Sequence, residues 1–448
     1  MAHTPMTADS FRVRCDEHDV HTVELAAPDT QGHLRGKRIP VERFFETTLE
    51  AGANLADAIF VFDMANDLPD NEFINMETGF LDCHLVPDIS TARILTHRPG
   101  YGLVFANALD QFDEPHPLAP RGILAQQIEQ CVALGLEPVV ATEMEFYLCR
   151  DDWQPVQSHI QYSSLTDAPH LEDVLRDMRD GLAGGGIEVE SSNAEYGPGQ
   201  IEINAGHADA MTTADNTALF KSIVKQVAVQ HGLRATFMPK PFMDQSGSGM
   251  HVHTSLNKDG SNVFRDCETL PSPLMASWVA GMLDHALSAT LLATPTSNGP
   301  KRVRPYTFAP THACWGLDNR TVLARCVIAP DSPANRAEFR LAGADANPYL
   351  VIAAQLAAGR DGVERGLELP PMGHGDMYGH PGDNPTLPTD LEGAITAYRG
   401  SRLAGLLGEK FSRSFVSIAE AEVALAAEHS PDPDDVNDWE RARFIEHS

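Results

Sequence analysis

Ionisable and amide side chains recur two residues apart in four separate runs of this chain: Glu143-Met144-Glu145, Gln200-Ile201-Glu202-Ile203-Asn204, His251-Val252-His253 and Arg336-Ala337-Glu338-Phe339-Arg340. On a β-strand, residues i, i+2 and i+4 share one face. Each run therefore sends its polar groups one way and Met, Ile, Val, Ala or Phe the other. A solvated sheet face would give the same alternation for one run alone. Four such runs, rich in Glu and including a His pair, predict the walls of a polar, cation-filled cavity. That is the signature of an enzyme.

The chain's 448 residues exceed what one small core requires, so more than one domain is expected. Lys and Arg number 33 against 63 Asp and Glu, a formal net charge of −30. This balance argues against nucleic-acid and anionic-membrane partners, which need a basic footprint. An anionic substrate would have to be drawn in by local Arg residues and bound metal. Cys15, Cys83, Cys131, Cys149, Cys267, Cys314 and Cys326 are dispersed without CxxC spacing, which predicts reduced thiols rather than a disulfide frame. No apolar run has membrane-spanning length and the N-terminus lacks a signal-peptide core. The expected location is the cytoplasm.

Val23–Val41 reads as strand, turn, strand, with Asp29–Gly32 as the turn. The Pro-rich stretch 113–120 marks a boundary between a small N-terminal domain, 15–113, and a large one, 119–448. Helices are expected over Arg121–Leu134, Leu171–Gly184, Thr213–His231, Leu274–Leu292 and Pro348–Gly362. Strands are expected at Pro138–Leu148, Glu188–Ser191 and the His251 run. Met372–Pro388 reads as an exposed loop, and Leu391–Ile445 as mostly helical. The alternation of strands and helices predicts a mixed architecture.

Glu143, Glu145, Glu195, Glu202 and Glu338, with His251, form a hard-oxygen ligand set with one imidazole. Such a set suits Mg²⁺ or Mn²⁺ better than zinc, and its size points to two or more ions. Arg302, Arg320, Arg325, Arg336 and Arg340 cluster in the same stretch as Glu338. Arg forks bind carboxylate and phosphate and stabilise charge in phosphoryl transfer. Walker A and GxGxxG sequences are absent.

Glu195-Tyr196-Gly197-Pro198-Gly199-Gln200-Ile201-Glu202, Gly247-Ser248-Gly249-Met250-His251-Val252-His253, Asn319-Arg320 with Arg325, Arg336–Arg340 and Asn347-Pro348-Tyr349-Leu350 together resemble the glutamine synthetase family, in that family's order. The resemblance implies an α+β fold: an N-terminal β-grasp domain and a catalytic domain with a curved antiparallel sheet flanked by helices. It implies ATP as co-substrate, L-glutamate activated as γ-glutamyl phosphate, and two or three Mg²⁺ or Mn²⁺ ions per site. It also implies a dodecamer of two stacked hexamers with sites between subunits. Carried over, Glu145, Glu195 and Glu202 hold the ion nearer glutamate, and Glu143, His251 and Glu338 the one at the nucleotide phosphates. Gly247, Arg302 and Arg340 bind glutamate, with Ser246 beside them. Arg320 and Arg325 bind phosphates, while Glu190, His253, Ser255 and Arg336 serve the nucleotide.

The departures bear most on function. Where family members that use ammonium carry a Gly-Tyr-Glu-Ala-Pro flap, this chain has Tyr306-Thr307-Phe308-Ala309-Pro310. An apolar ring cannot bind ammonium or take its proton, but it can line a pocket for an organic amine. Asp63-Met64-Ala65-Asn66 replaces Asp-Gly-Ser-Ser, leaving Asp63 as candidate proton acceptor across a subunit boundary. Ser246 replaces an Asn, and Asn193-Ala194 replace two His. The pattern resembles the branch that ligates glutamate to primary organic amines, a γ-glutamylamide ligase of amine catabolism. The competing expectations are an ordinary glutamine synthetase and a non-catalytic structural or sensor member.

Overall fold

The computed structural model describes residues 3–448 other than 167, 266–268 and 433, so Cys267 lies outside the described residues. Two sheets organise the chain. The first comprises β1 (Thr22–Pro28), β2 (Leu34–Pro40), β3 (Ala53–Ala56), β4 (Asp82–Pro87), β5 (Arg93–Ile94) and β6 (Tyr101–Leu109) in the order β2-β1-β6-β4-β3, with β5 paired to β6. The expected β1–β2 hairpin is present, and β1 runs parallel to β6.

The second sheet has ten strands: β7 (Glu137–Cys149), β8 (Val189–Ala194), β9 (Gln200–Ala205), β10 (Ala208–Asp209), β11 (Arg234–Thr236), β12 (Met250–Lys258), β13 (Ser261–Asn262), β14 (Trp315–Leu317), β15 (Ala324–Val327) and β16 (Arg336–Phe339). Its main path is β14-β15-β16-β12-β7-β9-β8. Pairing is antiparallel except between β14 and β15. Met144, Ile203, Val252 and Phe339 point into the core, as the two-residue period requires.

Behind the sheet, the helix Pro348–Arg365 is buried from Pro348 through Gly362 and packs against the helix Pro273–Asp284. A Cβ on Gly281 would stand 2.1 Å from the carbonyl of Ala358, so this crossing requires glycine. The helix expected over Leu274–Leu292 is instead two, Pro273–Asp284 and Ala286–Ala293. The break falls at His285, whose ring lies 2.9 Å from the buried Asp361 carboxylate on the neighbouring helix. A helix at Ala8–Glu17 was not anticipated. Thr7 and Ser10 form a capping box, and Phe11 and Cys15, one turn apart, face the core.

Asn347 explains its own motif. Its Oδ1 caps the helix Pro348–Arg365 by accepting from the N–H of Tyr349, while its Nδ2 donates to the carbonyls of Asp29 and Thr30 in the β1–β2 turn. One side chain thus fixes a helix start and ties the first sheet's hairpin to the larger unit.

Candidate functional site

The second sheet's register assembles the site. His251 stands opposite Glu143 on β12 and β7, and Glu145 opposite Glu202 on β7 and β9. Glu338 on β16 faces both His253 on β12 and Arg325 on β15. Directly opposed residues share a sheet face, so the rows Arg325–Glu338–His253, His251–Glu143–Asn204 and Glu145–Glu202–Asn193 lie side by side.

Glu145, Glu195 and Glu202 are crowded carboxylates. Burial, reinforced by repulsion within the trio, pushes each up to about 7. Amide donors restrain them: Gly249 N–H donates to Glu145 at 2.8 Å, Asn204 Nδ2 to Glu202 at 3.1 Å and Asn193 Nδ2 to Glu195 at 3.2 Å. A carboxylate trio that resists full ionisation by itself fits a divalent cation, which would relieve the repulsion.

The second group behaves oppositely. Burial opposes ionisation of Glu143, yet His251 and His253 hold it well below the usual carboxylate range. Glu338 is likewise buried but is held near 2, chiefly by Arg340. His251 Nδ1 lies 3.2 Å from Glu143 and 3.7 Å from Glu338. His253 also approaches, with Nε2 2.8 Å from Glu143 but outside hydrogen-bonding geometry. Proximity alone would class His253 as a ligand with Glu143 and Glu338. Arg336 Nε, however, donates to its Nδ1 at 3.0 Å, leaving a protonated Nε2 in the neutral ring. Such a nitrogen donates to an oxygen, whereas His251 meets its arginine more weakly, with Arg302 Nη2 3.5 Å from its Nε2.

Arg302 and Arg340 flank these carboxylates. Arg302 is buried, donates to the Leu341 carbonyl at 2.9 Å, and passes over two glycines. A Cβ on Gly249 would meet its Nη2 at 2.3 Å, and one on Gly247 its Cγ at 2.6 Å. Gly247-Ser248-Gly249 is therefore glycine-rich to admit a guanidinium, and Gln200 Nε2 secures it by donating to the Gly247 carbonyl at 3.0 Å. Ser246 is fixed through its carbonyl, which accepts from Tyr147 Oη at 2.8 Å. Arg340 pairs with Glu338, and its buried Nε has no hydrogen-bond partner among the described residues. Arg325 binds Glu338 at 2.8 Å and Asp318 at 3.1 Å. Arg320 is exposed and reaches Glu195 and Glu202 only through its field.

Beside the histidines lies a cavity of about 740 Å³ lined by Glu143, Glu190, His253, Ser255, Asn257 and Arg336, among others. Arg320 and Arg325 do not line it. Phe308 is 59% exposed and its carbonyl accepts from Arg340 at 3.4 Å, which places the flap at the arginine end of the site. Asp63 is elsewhere: it is 4% exposed, accepts from the N–H groups of Ala65 and Asp67, and pairs with Arg443. Both oxygens of this carboxylate are thus engaged within its own chain. The orienting roles of Asn193, Gln200 and Asn204 were missed, although all sit at the two-residue spacing of the Glu202 run or opposite it.

Residues 117–442 match the model of the glutamine synthetase catalytic domain. The chain is 34% identical over 449 residues to a glutamate–isopropylamine ligase of Pseudomonas, covering 96% of each chain. It is 33% identical to the γ-glutamylethanolamide synthetase of Streptomyces coelicolor, covering 99% of this chain and 96% of that one. A solved ADP complex of GmaS superposes with a TM-score of 0.83 at 29% identity, covering 96% of this chain and 98% of the other.

Proposed function

The chain belongs to the glutamine synthetase family, and from that premise we propose that it is an ATP-dependent carbon–nitrogen ligase joining the γ-carboxylate of L-glutamate to a primary organic amine. The observation that carries this reading is Phe308, an exposed apolar ring at the flap position where an ammonium-using member needs a carboxylate. The isopropylamine and ethanolamide relatives lend it support.

Family members use ATP and divalent metal. Here Glu145, Glu195 and Glu202 would hold one Mg²⁺ or Mn²⁺, and Glu143, His251 and Glu338 another. When bound, such ions supply positive charge to the phosphates and to the crowded carboxylates. The 740 Å³ cavity takes the nucleotide, with His253 Nε2 donating to an oxygen and Arg336 orienting that ring. The unpartnered Nε of Arg340 and the guanidinium of Arg302 would grip glutamate. A γ-carboxylate oxygen attacks the terminal phosphorus of ATP and ADP departs. The amine nitrogen then attacks the γ-carbonyl carbon, the bond to the phosphate oxygen breaks, and the nitrogen gives its proton to a carboxylate. Arg320 and Arg325 would steady the phosphoryl group. Asp63 can join only across a subunit boundary, after Arg443 releases it.

We further place residues 15–113 and 119–448 as separate domains, since each sheet falls inside one of these ranges. A dodecamer of two stacked hexamers, a cytoplasmic location and a role in amine catabolism complete the reading. No helix among the described residues is long and apolar enough to cross a membrane.

The test is glutamate-dependent phosphate release from ATP with Mg²⁺ or Mn²⁺ across ammonium, methylamine, isopropylamine, ethanolamine, putrescine, spermidine and aniline, each product identified by mass. Turnover of an organic amine well above ammonium is expected. Efficient turnover of ammonium alone would overturn the reading in favour of glutamine synthesis.

A further inference from the structure

Tyr306 and Phe308 hold left-handed backbone, at φ 65° and 59°, within three residues of one another. Bulky side chains keep such conformations only where their surroundings enforce them. Inside the flap, Thr307 Oγ1 donates to the carbonyls of Arg302 and Arg304 at 3.0 and 2.7 Å. From outside, Arg340 reaches the Phe308 carbonyl at a long 3.4 Å.

The firmer external hold comes from the 372–388 loop. Tyr378 Oη donates to the Ala309 carbonyl at 3.1 Å, and its ring packs on Tyr306 with centroids 5.3 Å apart. Tyr306 Oη in turn meets Asp376 at 3.4 Å, and that carboxylate accepts from the Tyr378 N–H at 2.9 Å. The base of this brace is itself anchored. Asn319 Nδ2 and Thr321 Oγ1 both donate to the Gly375 carbonyl at 2.9 Å, and Met377 is buried with Cys314 and Val322. Burial pushes the Tyr378 hydroxyl up to about 12, so it remains a donor at working pH.

We propose that Tyr378 is a positioning residue, a brace that sets the flap carrying Phe308 and so keeps the activated glutamate for the amine rather than for water. The proposal rests on the ligase reading. A loosened flap would admit water, whose oxygen attacks the γ-carbonyl carbon, releasing phosphate and a proton and returning glutamate. It would also let the substrate's own α-amino nitrogen close on that carbon, releasing phosphate and forming 5-oxoproline. Both leaks consume ATP without making amide.

The experiment compares wild type, Tyr378→Phe, Tyr378→Ala and Tyr306→Phe with ATP, glutamate, Mg²⁺ and isopropylamine or ethanolamine, whichever the wild type uses faster. Phosphate, amide and 5-oxoproline are measured together. Loss of the brace is expected to raise phosphate per amide about fivefold in Tyr378→Ala and less in the two Phe variants. The KM for amine should rise with it while that for ATP stays within about twofold. If Tyr378→Ala does not fold, Tyr378→Phe and Tyr306→Phe decide the question. Wild-type phosphate per amide and amine KM in the folded variants, even with a lower kcat, would overturn the proposal. If the wild type makes only glutamine from ammonium, the ligase reading fails separately, and the same ratio taken against glutamine still decides the role of Tyr378.

Discussion

Arg325 on β15 stands directly opposite Glu338 on β16 and donates to its Oε2 at 2.8 Å. Arg340, one residue past the end of β16, takes the other carboxylate oxygen. Glu338 is fully buried, so its charge persists because two guanidinium groups neutralise it. Glu338→Ala leaves the buried Arg340 without its carboxylate and Arg325 with Asp318 alone. A loss on the order of 3–5 kcal/mol is expected, read as a lower denaturant midpoint in metal-free protein. A midpoint equal to wild type would show that the pairing carries no stability.

The trio Glu145, Glu195 and Glu202 predicts how pH and metal interact. Each carboxyl sits near 7 in the metal-free fold, above its unfolded value. The folded protein therefore holds these protons more tightly than the unfolded chain does. Their contribution to stability is fully present below the unfolded carboxylate pKa and is lost as pH rises through 7. In chelator, the melting temperature should fall between pH 5.5 and 8 from this source. Mn²⁺ binding must expel the protons, so affinity should rise over the same interval. Calorimetry in buffers of different ionisation heat reads the release directly; no proton release at pH 6.5 would contradict the account.

Gly249 tests the fit of the arginine. The methyl of Gly249→Ala would collide with Arg302 Nη2 and stand 3.1 Å from His251 Nε2. If Arg302 grips glutamate as proposed, displacing its buried guanidinium should raise the KM for glutamate about tenfold or more, with the KM for ATP changed far less. Steady-state kinetics with each substrate varied in turn distinguishes this from general damage, which would affect both.

The polar face of the second sheet was legible in the sequence because strand periodicity is local. Glu143 and Glu145, or His251 and His253, need only the two-residue period to share a side, and antiparallel register then aligns them. The separate hydrogen-bonding of the two histidines was not legible in spacing, since it depends on Arg336 reaching His253 from another strand. Asp63 illustrates the same limit. Nothing near position 63 announces Arg443, which arrives from the far end of the chain. The break at His285 was missed because apolar periodicity continues through it while a buried contact to Asp361 redirects the backbone.

On the proposed reading, Phe308 selects an organic amine over ammonium. The most direct measurement is the ratio of kcat/KM for isopropylamine or ethanolamine, whichever is used better, to that for ammonium, in wild type and in Phe308→Glu. A ratio well above one is expected in wild type, with a fall of at least about tenfold in the variant as a carboxylate replaces the ring. A wild-type ratio below one, or an unchanged ratio in a folded Phe308→Glu that still turns over, would contradict it.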